Sequence, residues 1–308
     1  MGGEKALELQ RSGYRVTALV RPGSDYSHLS GSDIVIAEGD VTDSDAVARA
    51  MDDQTYVCHA AALVPGTNAS VSEFERVNVD GTRIVCEAAI EAGVSRLLHV
   101  STAHVFGIHP GSNLDEESTP TMPHPGYDAS KAKAEALVLD YAGGVLDAVI
   151  VNPAIVYGPR SRYSGRLINL FLRGRLPVIP LPERMLSLVY SGDVASGARL
   201  ALESGVRGER YIFAAPELSM RELLTALAEA SGRRSPRFSL PAWAAISGVR
   251  LAWAVSPVSR WRPPITAAGI RDGGTVYDGS KATRDLGLNY TPLNEGLATT
   301  VKWMINRG

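Results

Sequence analysis

In the first half of the chain, short β-branched runs alternate with stretches of helical character, and few folds satisfy that alternation. The runs are Tyr14–Val20, Asp33–Ala37, Thr55–Cys58, Arg96–Val100 and Ala148–Val151. Helical stretches Ser44–Met51, Val71–Ala92 and Ser130–Tyr141 lie between them. Such a pattern predicts a parallel sheet covered on both faces. Right-handed crossovers make it an α/β doubly wound sheet. Gly13 and Gly93 follow helical stretches, where a left-handed cap is expected. After Pro159 the pattern loosens into Pro-, Gly- and Arg-rich loops and shorter helices. Asp193–Glu203 reads as a helix, Arg210–Phe213 as a strand, and Ser219 with Glu222 as a capping box opening a helix to Ser231. Two domains are expected, 1–157 and a smaller 158–308, with 189–213 returning to the first body.

Composition narrows the partners. Of 308 residues, 45% are hydrophobic and 21% charged, with a net charge of −2. That balance suits a soluble globular protein and gives no basic footprint for nucleic acid or a membrane surface. Cys58 and Cys86 form neither a disulfide framework nor a metal spacing, and the histidines do not cluster, so no metal is expected. The most apolar stretch, Leu240 to Val258, carries Arg250 near its middle and reads as a buried or substrate-facing helix. No leader pattern is read ahead of the first helix, so a cytoplasmic location is expected.

The sharpest chemical signal is Tyr127-Asp-Ala-Ser-Lys131. Residues i and i+4 share a helix face, and a lysine ammonium beside a phenol is expected to lower its pKa. The phenol could then move a proton near neutral pH. Upstream, a strand ends in His99-Val-Ser-Thr-Ala-His-Val-Phe-Gly107, where a hydroxyl can meet a substrate oxygen. Another ends in Cys58-His-Ala-Ala-Ala62, small enough for a flat cofactor to pass. Asn78 interrupts a helical stretch, an unfavourable place for that residue.

These segments occur in a telling order: Asp40-Val41, His59-Ala60-Ala61, Asn78-Val79-Asp80-Gly81, Ser101-Thr102 with Val105-Phe106-Gly107, Tyr127-x-x-x-Lys131, Asn152 to Pro159, and Asp193-Val194-Ala195. Asp278 to Ala282, Leu286-Gly287 and Trp303 follow. The chain resembles the extended short-chain dehydrogenase/reductases over essentially its whole length. Within them it is most similar to the dihydroflavonol-reductase-like and 3β-hydroxysteroid-dehydrogenase-like branch. The resemblance implies a Rossmann domain for NAD(P) followed by a substrate-binding domain. It implies Tyr127 as acid/base, Lys131 as the residue lowering its pKa and holding the nicotinamide ribose, and Thr102 as the hydroxyl orienting the substrate oxygen. Gly2, Asp40, Val41, Ala60, Ala61, Pro153 and Val156 match cofactor-lining positions. Asn78 is expected to hold backbone geometry.

Two departures shape the expected substrate. Dehydratases of this family carry Asp-Glu after the threonine, where Ala103 and His104 stand here. Nucleotide-sugar enzymes place an Arg where Leu186 stands, and Leu cannot pair with a diphosphate, with Arg184 close in sequence as an open substitute. An apolar ketone, aldehyde or alcohol is therefore expected, near His104, Leu186 and Trp243, with His109, His124, Ile246, Leu251 and Trp253 as further candidates. Arg21 at the end of the second family strand favours NADP, with NAD open. The expected partner is a small molecule, with a homodimer as a further option. A sugar epimerase using tightly held NAD and a non-catalytic cofactor-binding protein are the alternatives. The family pattern also has a strand and Thr-Gly-x-x-Gly-x-x-Gly at its start, of which Gly2 matches the third glycine. About ten family positions then fall ahead of Met1, and a sheet gap and weak pyrophosphate binding are expected.

Overall fold

The computed structural model describes residues 2–65, 69–107, 109, 111–120, 123–161, 163–215, 217–240, 243–244, 247–248 and 274–306. In chain order its strands are β1 (Thr17–Val20), β2 (Val35–Glu38), β3 (Tyr56–His59), β4 (Arg96–Val100), β5 (Asn113–Leu114), β6 (Ala148–Pro153) and β7 (Ile155–Tyr157). They continue with β8 (Val178–Pro180), β9 (Met185–Leu186), β10 (Leu188–Tyr190), β11 (Arg210–Phe213), β12 (Leu218–Ser219), β13 (Phe238–Leu240) and β14 (Val276–Tyr277). The helices used below are α1 (Gly2–Arg11), α2 (Ser44–Met51), α3 (Val71–Glu75), α4 (Gly81–Glu91), α5 (Tyr127–Gly143), α6 (Tyr163–Leu172), α7 (Ser191–Ser204), α8 (Met220–Ser231), α9 (Ser280–Leu286) and α10 (Leu293–Ile305).

The central sheet runs β11-β6-β4-β3, all parallel, and β1 pairs in parallel with β2 as a separate piece. Among the described residues no strand is hydrogen-bonded between β1 and β3. Alternate residues of a strand face opposite sides. Leu97, Ala148 and Ile150 therefore pack with Val47, Val85, Cys86 and Val138 from α2, α4 and α5. Leu98, Val100, Val149 and Val151 pack with Val194, Ala198, Ala282 and Leu286 from α7 and α9. Helices on both faces make the sheet doubly wound, as expected from the alternation. A third apolar cluster joins Ile168, Phe171, Leu224, Leu227, Leu297 and Val301 from α6, α8 and α10.

Local chemistry explains most boundaries. Ser219 caps α8 with the expected reciprocal bonds to Glu222. Strand β1 begins at Thr17, later than Tyr14, whose ring instead meets Tyr56 edge-on at 6.2 Å while its hydroxyl reaches Glu203. The helical stretch from Val71 is not one α-helix: a π-helical segment, Arg76–Asp80, separates α3 from α4. Helix α5 starts at Tyr127, three residues before the expected Ser130, because Gly126 at φ 97° breaks the chain just ahead of it. No helix among the described residues is long and apolar enough to cross a membrane. Most of the apolar stretch Leu240 to Val258, with Ile246, Leu251 and Trp253, lies outside the described residues.

Candidate active site

The carboxyl end of β4 and the first turn of α5 bring the expected chemical residues together. After β4 the chain passes through Ser101 and Thr102 into a 3₁₀ turn, Ala103–Phe106, with Thr102 at its cap. Thr102 lies close enough to the Tyr127 phenol to act on its proton affinity. Withdrawal from water, reinforced by the neighbouring Asp128 carboxylate, pushes the phenol up to about 12, with Thr102 pulling the other way. The expected lowering by Lys131 is not among the causes: burial dominates, and the lysine nitrogen is engaged elsewhere. Its Nζ donates to the Val100 carbonyl at 2.9 Å and lies 3.2 Å from His99 Nε2. Lys131 is 2% exposed, and burial draws its pKa down to about 8 against the pull of Glu135.

Behind this pair sits a polar layer that sequence reasoning mostly missed. Asn78 lies in the π-helical segment, and its side chain accepts from Leu63 N at 2.7 Å. It donates to Leu63 O at 3.1 Å and to Ser130 Oγ at 2.8 Å. Ser130 in turn donates to the Tyr127 carbonyl at 2.7 Å. The extra residue of a π turn aims Asn78 at both partners, a recurrent feature of functional sites. Asn152 donates to Glu135 Oε2 at 2.7 Å and to the Thr102 carbonyl at 3.3 Å. Buried Glu135 is pushed up by desolvation, with Ser101, Asn152 and Arg210 opposing.

The remaining expected residues divide by place. Asp40, after β2, accepts from the Thr42 amide and hydroxyl at 3.0 and 2.8 Å, and the amide bond foremost holds its carboxyl below the usual range. Val41 is buried under Gly81, where an added Cβ would sit 2.9 Å from Val41 Cγ1. Gly2 opens α1 and is exposed, as is Arg21 just past β1. Ala60 is half-buried and Ala61 exposed after β3, while Pro153 is buried and Val156 half-buried. Ser161 and Ser164 donate to the Val156 carbonyl. A cleft of about 450 Å³, lined by Gly23, Ser24, Asp25, Tyr26, Ser27 and Glu38, opens at the carboxyl ends of β1 and β2. The sequence reading passed over it, although the Arg21-Pro22-Gly23-Ser24 turn was its signal. Exposed Arg21, this cleft and the small Ala60-Ala61 edge could hold a nicotinamide dinucleotide laid across strand ends.

His104 joins the site: its Nδ1 lies 3.3 Å from Asp128 Oδ1, next to Tyr127. His109 is tied through its backbone N–H to Thr275 Oγ1, and His124 is exposed. Leu186, expected at the substrate, is instead buried in the third apolar cluster, where β9 pairs with β12 and turns its side chain inward. Trp243 is 73% exposed. Among the described residues no group of His, Cys, Asp and Glu could hold a metal.

Residues 1–214 match the model of the NAD dependent epimerase/dehydratase family. The chain is 32% identical to sterol demethylase protein B of Methylococcus capsulatus over 320 aligned positions, covering 100% of this chain and 96% of that protein. It is 33% identical to the 4-hydroxy-2-methyl-3-oxo-4-farnesyl-3,4-dihydroquinoline-1-oxide ketoreductase of Stigmatella aurantiaca, across 74% of this chain and 71% of that one. The crystal structure of DesIV, a dTDP-glucose 4,6-dehydratase from Streptomyces venezuelae with NAD and TYD bound, superposes with a TM-score of 0.79 at 26% identity, covering 99% and 94% of the two chains. The chain belongs to the NAD-dependent epimerase/dehydratase family, the extended short-chain dehydrogenase/reductases.

Proposed function

We propose that the protein is an oxidoreductase that interconverts a ketone or aldehyde with its alcohol on a mostly apolar small molecule, with preference for NADP(H). The carrying observation is the meeting of Thr102, just past β4, with Tyr127, the first residue of α5, whose phenol burial raises to about 12. A phenol so held is protonated at neutral pH and donates to a carbonyl oxygen as negative charge develops there. Thr102 holds the same oxygen in place, and Lys131 lies one helical turn along α5. When bound, nicotinamide supplies hydride for reduction and accepts it for oxidation. In the oxidative direction Tyr127 receives the alcohol proton.

Substrate class follows from what replaces the polar groups of relatives. Ala103 and His104 stand where dehydratases carry their acid pair, and the family position for a diphosphate-binding Arg is Leu186, buried in the third apolar cluster. Two relatives named for a sterol and for a farnesylated ketone support the apolar reading. Exposed Arg21, two residues before Gly23 of the cleft, supports NADP, because a guanidinium pairs well with a 2′-phosphate. The test is NADPH and NADH oxidation with a panel of ketosteroids, prenylated ketones and aldehydes. Turnover of an apolar ketone with NADPH favoured is expected. Conversion of nucleotide sugars without net cofactor consumption would replace this reading by an epimerase.

A further inference from the structure

His59 and His99 are register partners on β3 and β4, buried at 4% and 0% exposure, with ring centroids 5.2 Å apart. Neither is explained by the chemistry above. Their protons can be assigned from their partners. Thr82 Oγ1 gives its hydrogen to the Asn78 carbonyl at 2.7 Å, so at 2.9 Å it accepts from His59 Nε2. Lys131 Nζ has only hydrogens to give, so His99 Nε2 is the acceptor and the His99 proton sits on Nδ1. That Nδ1 has no partner among the described residues. A neutral ring with an unsatisfied buried nitrogen costs stability, so its retention calls for a reason.

Among the described residues no carboxylate forms an ion pair with Lys131. Glu135 lies one turn along α5 but is held by Asn152 and by Arg210 at 3.7 Å. The buried lysine nitrogen therefore rests on two neutral acceptors, the Val100 carbonyl and the His99 ring. The other register partner of His99 is the apolar Ile150 on β6. The ionisable groups around His99 are His59 from β3 and Lys131 with Glu135 from α5. Burial first, then Lys131 and His59, keeps His99 neutral.

We propose that His99 is a positioning residue for Lys131, its Nε2 holding the lysine nitrogen at the end of β4 and favouring its ammonium form. This rests on the reading of Lys131 as a cofactor and proton-transfer partner. The fixed acceptor keeps the lysine from collapsing to a neutral amine where no carboxylate among the described residues forms an ion pair with it.

The lysines are Lys5, Lys131, Lys133, Lys281 and Lys302, so a spectrum of the full chain with ¹³Cε-labelled lysine is simple. Lys131→Met assigns the Lys131 signal. In His99→Gln an amide oxygen reaches about as far as Nε2, whereas in His99→Asn it reaches only the Nδ1 position. Both variants keep a polar group, so a general packing effect appears in both. Loss of a hydrogen bond to the charged form lowers a lysine pKa, here by about one unit. The expected result is a Lys131 midpoint displaced downward by about that much in His99→Asn, with His99→Gln staying close to the parent. Equal midpoints in all three proteins, or equal displacement in both variants, overturn the proposal. NADPH binding followed by fluorescence against pH, without substrate, is expected to move with the midpoint. A moved midpoint with unmoved NADPH binding would uphold His99 as the holder of Lys131 and sink the cofactor role assigned to that lysine.

Discussion

Asn78 and Leu63 are joined twice, the side-chain oxygen accepting from the Leu63 amide at 2.7 Å and the side-chain nitrogen donating to its carbonyl at 3.1 Å. With the further bond to Ser130, one buried side chain ties the loop after β3 to the turn that carries Tyr127. Asn78→Leu leaves these groups unpaired in the interior. A loss of about 2–3 kcal/mol in unfolding free energy is expected, measured by urea denaturation. A variant as stable as the parent would show that the strap is dispensable.

Tyr127→Phe keeps the ring against Phe74, 6.3 Å away edge-on, and removes the proton donor. Turnover is expected to fall about 10²–10⁴-fold, with NADPH affinity changed little. Activity within a few-fold of the parent would remove Tyr127 from the assigned role.

Arg21→Asp replaces a cation at the end of β1 with a carboxylate that repels a 2′-phosphate and accepts from a 2′-hydroxyl. The ratio of kcat/KM for NADPH over NADH is expected to fall at least tenfold. An unchanged ratio would mean that Arg21 does not meet the cofactor.

Lys131 has a folded pKa drawn down to about 8 by burial, below its ordinary value of 10.5. Between those values the unfolded chain binds more protons than the folded one, so stability rises with pH across that window. Below pH 8 the folded protein bears the full cost of the buried ammonium, on the order of 3 kcal/mol. The two buried acceptors left unpaired, His99 Nε2 and the Val100 carbonyl, offset roughly 2 kcal/mol of that in a variant. Lys131→Met is therefore expected to be inactive but more thermostable than the parent at pH 7, with the advantage fading as pH approaches 10. Calorimetry at both pH values checks it; a destabilised variant at pH 7 would contradict the sign.

The α/β architecture, and the closeness of Thr102, Tyr127 and Lys131 at the end of β4, were legible in the sequence because each rests on local order. Strand–helix alternation fixes the class of fold, the i,i+4 spacing puts Tyr127 and Lys131 on one face of α5, and a strand end presents Thr102. Helix starts were less legible, since a left-handed Gly126 rather than a propensity sets where α5 begins.

What the linear order could not carry is which distant partners each polar side chain finds. Lys131 and His99 are 32 residues apart, and Asn78 and Ser130 are 52 apart. Spacing suggested that Lys131 would serve the Tyr127 phenol, whereas the paired strands bring a buried imidazole and the Val100 carbonyl to its nitrogen. In the same way the pairing of β9 with β12 turned Leu186 into the core, although its place in the motif had suggested the substrate. Periodicity says that a strand has two faces; only the packed sheet decides which helix covers each, and desolvation on that face then sets whether Tyr127 and Lys131 carry a proton.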